Sequence, residues 1–234
     1  MISIVPLAGP DLVHPVHGLR PLFPVEGEPL LRRALTSRSW WISGLQRPEN
    51  MVFVLPRRDE AETVSEACRA WFPGCRFVWL SDLTAGALLS AVAGTALAPL
   101  AGGPLCIDLA DLLYELDTDT GECFSDPAVG AAVPCFTASD PCYSYLEMTA
   151  DRRVLRAREK QVISSTASAG TYIFRDGAVW FEAVAHSLRH ADELSLRGVM
   201  FVCPAINGVI ANGRTVMTLS ATNVQPVGKL FHKI

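Results

Sequence analysis

Short apolar runs alternate with helical patterns through the first half of the chain: ISIVPLA, a helix from Pro29 to Trp40, MVFVLP, a helix from Asp59 to Trp71, CRFVWLS, an Ala-rich helix and PLCIDLA. That order constrains the fold more than any other feature. Strand, helix and strand in succession place the strands parallel, with helices packed over the sheet. Strands buried on both sides read as continuous apolar runs, and these do. The predicted class is α/β, a Rossmann-like, mostly parallel sheet with helices on both faces.

The second half changes character. AAVPCFTA, CYSYLEMT and RVLRAREK are shorter and partly alternating, and the polar turn TADR joins the last two as a hairpin. TYIFRD reads as a strand, FEAVAHSLRH as a helix, MFVCPAINGVIAN as a helix or turn, and RTVMTLSA as a closing strand. These later strands are expected to make the sheet mixed and to form the acceptor side of a cleft. No repeat or linker divides the chain, so one domain over 1–234 is expected, with halves over 1–115 and 116–234 that differ in character. A chain of 234 residues that is 50% hydrophobic can bury well over half of its unfolded surface in such a domain.

Residues 83–107, LTAGALLSAVAGTALAPLAGGPLCI, carry no charge and are long enough to cross a bilayer. Pro99, Gly102, Gly103 and Pro104 interrupt them, which favours a buried helix over residues 84–96, a turn and a buried strand over a membrane span. A net charge of −4 with scattered basic residues leaves no footprint for nucleic acid. Seven cysteines without a C-x-x-C pair indicate neither a disulfide framework nor a zinc site, and reduced thiols in a cytoplasm are expected. The start MISIVPLAGPD lacks a basic region before its apolar run and reads as a strand, so export is not indicated.

Ligands of open α/β sheets gather at the carboxyl ends of the strands. The first such end is Leu7-Ala8-Gly9, where a glycine lets backbone amides approach a phosphate or base, or simply turns the chain. Arg20 stands before Pro21-Leu22, where a fixed cation can neutralise phosphate, although a solvated surface arginine reads the same way. His14 and His17 lie in the same loop. Asp111 follows PLCIDLA at the end of a predicted buried strand, a place suited to a hard divalent cation such as Mg²⁺, and it can equally cap a helix over DLLYEL. Asp108, three residues earlier, is the fallback ligand. Asp117-Thr118-Asp119 forms a D-x-D, the metal motif of many glycosyltransferases, within a polar turn. Glu159-Lys160 closes RVLRAREK, where the lysine can reach a phosphate and the glutamate can accept from sugar hydroxyls.

Read in order, these stretches resemble the sugar-1-phosphate nucleotidyltransferase family, especially its small bacterial members of capsule and surface-polysaccharide pathways. IVPLAG resembles the opening strand and first turn, and LRPLFPVEGEPLL resembles the K-P-L-x-P-V-x-G-K-P-[LM] lip. FVWLSDLTAGALLSAV, with Thr84 and Gly86, is similar to the stretch facing the nucleotide base, and PLCIDLAD to the strand that ends in the metal-binding Asp, here Asp111. DPCYSYLEMTADRRVLRAREKQVIS and AGTYIFRDGAVWFEAV resemble the acceptor block, with E-K-x-x-I-S and G-x-Y-x-F-x-x-G, the latter holding Gly170 and Tyr172.

The resemblance implies a nucleotidyltransferase (GT-A-like) architecture and the Mg²⁺-assisted transfer of a nucleoside monophosphate from a triphosphate to a sugar phosphate. By position it implies Leu7, Ala8, Gly9, Thr84 and Gly86 at the nucleotide, Arg20 at the triphosphate, Asp111 on Mg²⁺, Glu159, Gly170 and Tyr172 at the acceptor, and Lys160 with Glu159 at the sugar phosphate. The chain departs from the family where G-x-G-[ST]-R is replaced by GPDLVHPVH, where the lip lysine is Arg20, where the lysine of G-K-P is Glu28, and where TNVQPVGKLF carries no acid. Asp11 adds a negative charge to the loop. Two other readings accompany the first: a non-catalytic relative that binds a nucleotide, a sugar or a partner, and a glycosyltransferase using Asp108, Asp111 or the Asp117 and Asp119 pair. Expected partners are a nucleoside triphosphate or nucleotide sugar and a phosphorylated small-molecule acceptor, with a homo-oligomer as an open option.

Overall fold

In the computed structural model, which describes residues 1–98, 102–116 and 120–231, one mixed sheet runs through both halves of the chain. Its strands are β1 (Ile2–Pro6), β2 (Met51–Pro56), β3 (Arg76–Leu80), β4 (Leu105–Asp108), β5 (Leu113–Leu116), β6 (Val129–Thr137), β7 (Tyr145–Met148), β8 (Val154–Arg158), β9 (Thr166–Ser168), β10 (Thr171–Phe174) and β11 (Thr215–Gln225). The order across the sheet is β8-β7-β9-β6-β10-β4-β1-β2-β3, with β11 beside β6 and β5 beside β11. β4, β1, β2 and β3 are mutually parallel, and β10 enters antiparallel to β4, pairing Thr171 with Asp108. The sheet is therefore mixed, as the second half of the sequence implied.

Alternate residues of the parallel strands feed two cores. Ile4, Val52, Val54 and Ile107 pack with Leu88 and Ala91 of α4 (Ala87–Thr95), Trp180 and Val184 of α5 (Gly177–Arg189), and Ile206 and Val209 of α6 (Ile206–Ala211). Val5, Phe53 and Leu55 face the other way, against Leu31 and Leu35 of α1 (Leu30–Thr36) and Val64 and Cys68 of α3 (Asp59–Trp71). Burial of each such large apolar side chain contributes roughly 1.5–3 kcal/mol, which is why strands of this kind tolerate so few polar residues. The uncharged 83–107 stretch is explained by the same layer: α4 lies in the first core, and no helix among the described residues is long and apolar enough to cross a membrane.

Two local expectations are corrected. The helix expected from Pro29 to Trp40 is two short helices, α1 and α2 (Ser39–Ile42), because Arg38 takes an extended conformation between them and turns its side chain inward to Asp108. The stretch DLLYEL is no helix: its Leu113–Leu116 is the strand β5, antiparallel to β11. The TADR hairpin forms as expected, pairing Tyr145 with Arg158 and Leu146 with Ala157. Cys68, Cys75, Cys106, Cys135, Cys142 and Cys203 are free thiols.

Candidate active site

The strands β1 and β4 lie side by side in parallel register, so the loops leaving their carboxyl ends open onto one cleft. On the β1 side, Leu7 and Ala8 are buried, and only their backbone can meet a ligand. The loop that follows is folded, not open. Val13–His14 pairs with Gly18–Leu19, and His14 Nδ1 accepts the amide hydrogens of Val16 and His17 at 3.2 and 3.3 Å. The rings of His14 and His17 stack at 4.8 Å, and both contact Phe231, which is itself buried near the carboxyl end of the chain.

Arg20 does not stand ready for a ligand. Its side chain is 7% exposed, and Nη1 lies 3.0 Å from Asp11 Oδ2. The other oxygen of Asp11 lies over Gly9, so that a Cβ on Gly9 would collide with it. The residue expected to repel a triphosphate and the residue expected to attract one therefore cancel each other. Farther along the lip, Glu26 pairs with Arg33, and Glu28 is exposed in the small hairpin Pro24–Val25 with Glu28–Pro29.

Thr84 and Gly86 occupy the loop before α4. The Thr84 hydroxyl donates to the Gly86 carbonyl at 2.9 Å and shares a hydrogen bond with Ser90 at 2.7 Å. Gly86 has φ +123°, and a Cβ there would run into the Met200 backbone, whose amide donates to the Ala85 carbonyl at 2.7 Å. This glycine is required by the close approach of two backbones.

On the β4 side, Asp108 and Asp111 have separate fates. Asp108 is 1% exposed and receives Arg38 Nε at 2.9 Å on Oδ2 and Nη2 at 3.2 Å on Oδ1. The Ala110 amide also donates to it at 2.9 Å. Burial opposes the charge of Arg38, but Asp108 and Tyr114 beside it offset that and hold the guanidinium above its usual range. Arg38 lies 3.8 Å above the Tyr114 ring, and Tyr114 donates to the Thr171 hydroxyl at 2.7 Å. Asp108 is thus a structural anchor of the turn, its carboxylate taken up by Arg38 and the Ala110 amide and not open to a metal as expected. The Asp117 and Asp119 pair lies outside the described residues.

Asp111, at the end of that turn, is 9% exposed. Gly170 faces it with φ +79°, a left-handed conformation that suits glycine, and a Cβ there would sit 2.9 Å from Asp111 Oδ1. Gly228 packs on its other side and donates its amide to the Asp111 carbonyl at 2.7 Å. The next residue, Lys229, lies 3.4 Å from Asp140 and over the Tyr143 ring, so the carboxyl end of the chain brings a glycine and a cation to this region.

Glu159 and Lys160 follow β8. Glu159 is half-buried and accepts a hydrogen bond from the Ser144 hydroxyl. Desolvation pushes its carboxyl up to about 7, against the lowering effects of Ser144 and Lys160, and the charge of Asp111 adds to the rise. The charge of Asp111 therefore acts on Glu159 although the two lie far apart along the chain. Lys160 is exposed, with Nζ 5.2 Å from the Phe201 ring centre. Tyr172 is placed differently from the expectation: it is 1% exposed within the first core, because β10 is a central strand, and its hydroxyl accepts a hydrogen bond from Ser168 at 2.9 Å with the Cys203 thiol also beside it. Ser168 in turn accepts the Gly170 amide at 3.2 Å, so Tyr172 can act on the cleft only by holding that turn.

Many solved structures match the chain, and three that span nearly all of it illustrate the likeness. They are the nucleoside-diphosphate-sugar pyrophosphorylase from Vibrio cholerae RC9 (18% identity, TM-score 0.78, covering 97% of this chain and 96% of that one), a putative glucose-1-phosphate thymidylyltransferase from Bacillus anthracis in complex with a sucrose (17%, 0.71, 97% and 90%), and a UDP-glucose pyrophosphorylase complexed with UDP-glucose (15%, 0.68, 98% and 95%). The chain has the sugar-1-phosphate nucleotidyltransferase fold. No family model and no curated protein sequence matches it. Within that fold the charge of Asp111 acts on Glu159, while Arg20 is neutralised by Asp11. Ser144, the Asp11 pairing and the packing of Gly228 on Asp111 escaped the sequence reading. Only the last had a signal, the absence of an acid in TNVQPVGKLF.

The donor set around Asp111 bears on Mg²⁺. Among the described residues no group of three metal-ligating side chains comes together. Mg²⁺ is commonly held by one or two carboxylates, with substrate phosphate and water completing its shell, and Asp111 beside Glu159 fits that minimal share. A cavity of about 510 Å³ lined by Gly102, Phe124 and Arg175 lies at the other end of the sheet, away from these groups.

Proposed function

We propose that this chain is a nucleotidyltransferase of surface-glycan metabolism, acting in the cytoplasm on a nucleoside triphosphate and a sugar phosphate or similar phosphorylated acceptor. An acceptor phosphate oxygen attacks the α-phosphorus, a bond forms there, the bond to the bridging oxygen of the leaving pyrophosphate breaks, and a nucleotide sugar results. The observation that carries the reading is Asp111 at the carboxyl end of β4, packed against Gly170 and close enough for its charge to act on Glu159, supported by the fold shared with a pyrophosphorylase complexed with UDP-glucose. Such chemistry rests on positioning and charge neutralisation more than on proton transfer.

The residues divide the work. Backbone groups of Leu7, Ala8 and Gly9 approach the nucleotide, and the stapled Thr84-Gly86 loop gives its base a fixed edge. Asp111 would hold Mg²⁺, which when bound supplies the positive charge that phosphate oxygens need. Glu159 accepts from acceptor hydroxyls, Lys160 neutralises the acceptor phosphate, and Tyr172 keeps the Gly170 turn in place through Ser168.

The Asp11–Arg20 pair favours a second reading, a protein that binds a nucleotide sugar without turning it over. Thermal unfolding of the protein against nucleoside triphosphates, nucleotide sugars and Mg²⁺ separates the two, because a ligand that binds only the folded state raises its stability. Stabilisation by a triphosphate with Mg²⁺ supports transfer, stabilisation by nucleotide sugars alone supports binding, and none by any member removes both.

A further inference from the structure

We infer that Asp11 is an internal occupant of the phosphate seat at Arg20, and that it sets the lip against ligands carrying a terminal pyrophosphate. The inference rests on the nucleotide reading above and concerns the same cleft. Arg20 is the only arginine or lysine between Gly9 and Gly27. Its guanidinium is enclosed, with its Nη1 3.0 Å from Asp11 Oδ2, whereas Asp11 keeps 25% of its side-chain surface open. The pair is therefore reached from the carboxylate side. The second oxygen of Asp11 covers Gly9, so one carboxylate spans both the glycine backbone and the arginine, the two features that a phosphate entering from β1 would use.

A carboxylate and a phosphate oxygen offer a guanidinium the same acceptor chemistry. The internal one has an advantage, since it is tethered and competes at an effective concentration in the millimolar range or above. The tether is also stiff: the His14 caps and the contacts of His14 and His17 with Phe231 fix the loop that carries Asp11 and Arg20. A ligand phosphate must displace Asp11 and then tolerate its charge nearby. The charged groups next along the lip give no relief, since Glu26 is paired with Arg33 and Glu28 is itself an anion. A nucleotide sugar, whose diphosphate is esterified at both ends, needs this seat less than a triphosphate with a free terminal phosphate does. Asp11 is by this argument a specificity-determining residue.

The test is calorimetric titration of inorganic pyrophosphate into the full chain, as wild type, Asp11→Asn and Asp11→Asn/Arg20→Gln. Asp11→Asn is expected to bind pyrophosphate at least about tenfold more tightly than wild type, and Arg20→Gln to erase the gain. Equal affinity in wild type and Asp11→Asn, or a gain that survives Arg20→Gln, overturns the proposal. Asp11→Ser replaces the asparagine variant if that one does not fold, and failure of both to fold leaves Asp11 a structural residue and overturns it too. Pyrophosphate carries neither base nor sugar, so failure here leaves the nucleotide reading standing, while that reading fails separately if wild type is stabilised by no nucleotide.

Discussion

Replacing Asp108 by asparagine should unfold the protein far more readily than replacing Asp111, three residues away. Asp108 and Arg38 are 1% and 0% exposed at their side chains, and the carboxylate takes two guanidinium hydrogen bonds at 2.9 and 3.2 Å. Asparagine keeps the shape and one acceptor but leaves the Arg38 charge enclosed without a counter-charge. Breaking a buried pair from one side costs about 3–5 kcal/mol. For a chain of this size each kcal/mol moves the midpoint by roughly 2–4 °C, so Asp108→Asn should unfold roughly 6–20 °C lower. Substituting both partners by apolar residues, Arg38→Met with Asp108→Leu, should lose less than the single change, because no uncompensated charge remains. Thermal unfolding followed by circular dichroism, with urea midpoints as a second measure, reads these differences. A loss under about 1 kcal/mol in Asp108→Asn would refute the claim that this pair anchors the turn presenting Asp111.

Gly170→Ala should lose about 1–3 kcal/mol in the same experiment, since alanine is strained at φ +79° and its Cβ would press on Asp111 Oδ1 at 2.9 Å; unchanged stability would show that the turn adjusts freely. Glu159 adds a pH dependence. Its folded carboxyl is raised from 4.5 to about 7, so the folded state holds a proton that the unfolded chain releases earlier, and this contribution is present below about pH 4.5 and lost as pH rises through 7. Urea midpoints, measured without divalent cations, should carry a falling component across that window that Glu159→Gln removes, and identical profiles for the two proteins would contradict it. Glu28→Lys reverses one charge on the exposed lip, so nucleoside triphosphate affinity in calorimetric titration should rise several-fold and lose the gain at high salt; unchanged affinity would place the phosphates elsewhere.

The parallel half of the fold was legible because its strands are buried on both faces, and MVFVLP or ISIVPLA admit no other reading. The break between α1 and α2 was not, since it depends on Arg38 reaching Asp108, seventy positions away, and no local pattern encodes that partner. β5 was hidden for a similar reason: LYEL has weak preference of its own and becomes a strand only where β11 lies beside it. Of the site positions, Asp111, Glu159 and Gly170 could be named from residue order; the structure packs Gly170 on Asp111, whose charge also acts on Glu159. Charge signs could be read as well, which exposed the loss of lysines. Pairing could not: Asp11 and Arg20 are each unremarkable surface residues in sequence, and only the hairpin closed by His14 makes them partners. Tyr172 was misplaced because its motif position says which strand it occupies but not that the strand is central.

In the proposed function the Asp111 end of β4 is a working phosphoryl-transfer site whose triphosphate side is weakened by the Asp11–Arg20 pair. It is tested most directly by pyrophosphate release, with the four common ribonucleoside triphosphates and thymidine triphosphate offered in turn with a panel of sugar 1-phosphates, using wild type and Asp111→Asn at matched folded fraction. Slow release that requires Mg²⁺ and one class of acceptor is expected, and it should disappear in Asp111→Asn although this variant unfolds within about 1 kcal/mol of wild type. Release that persists in Asp111→Asn, or no release from wild type with any pairing, would contradict it.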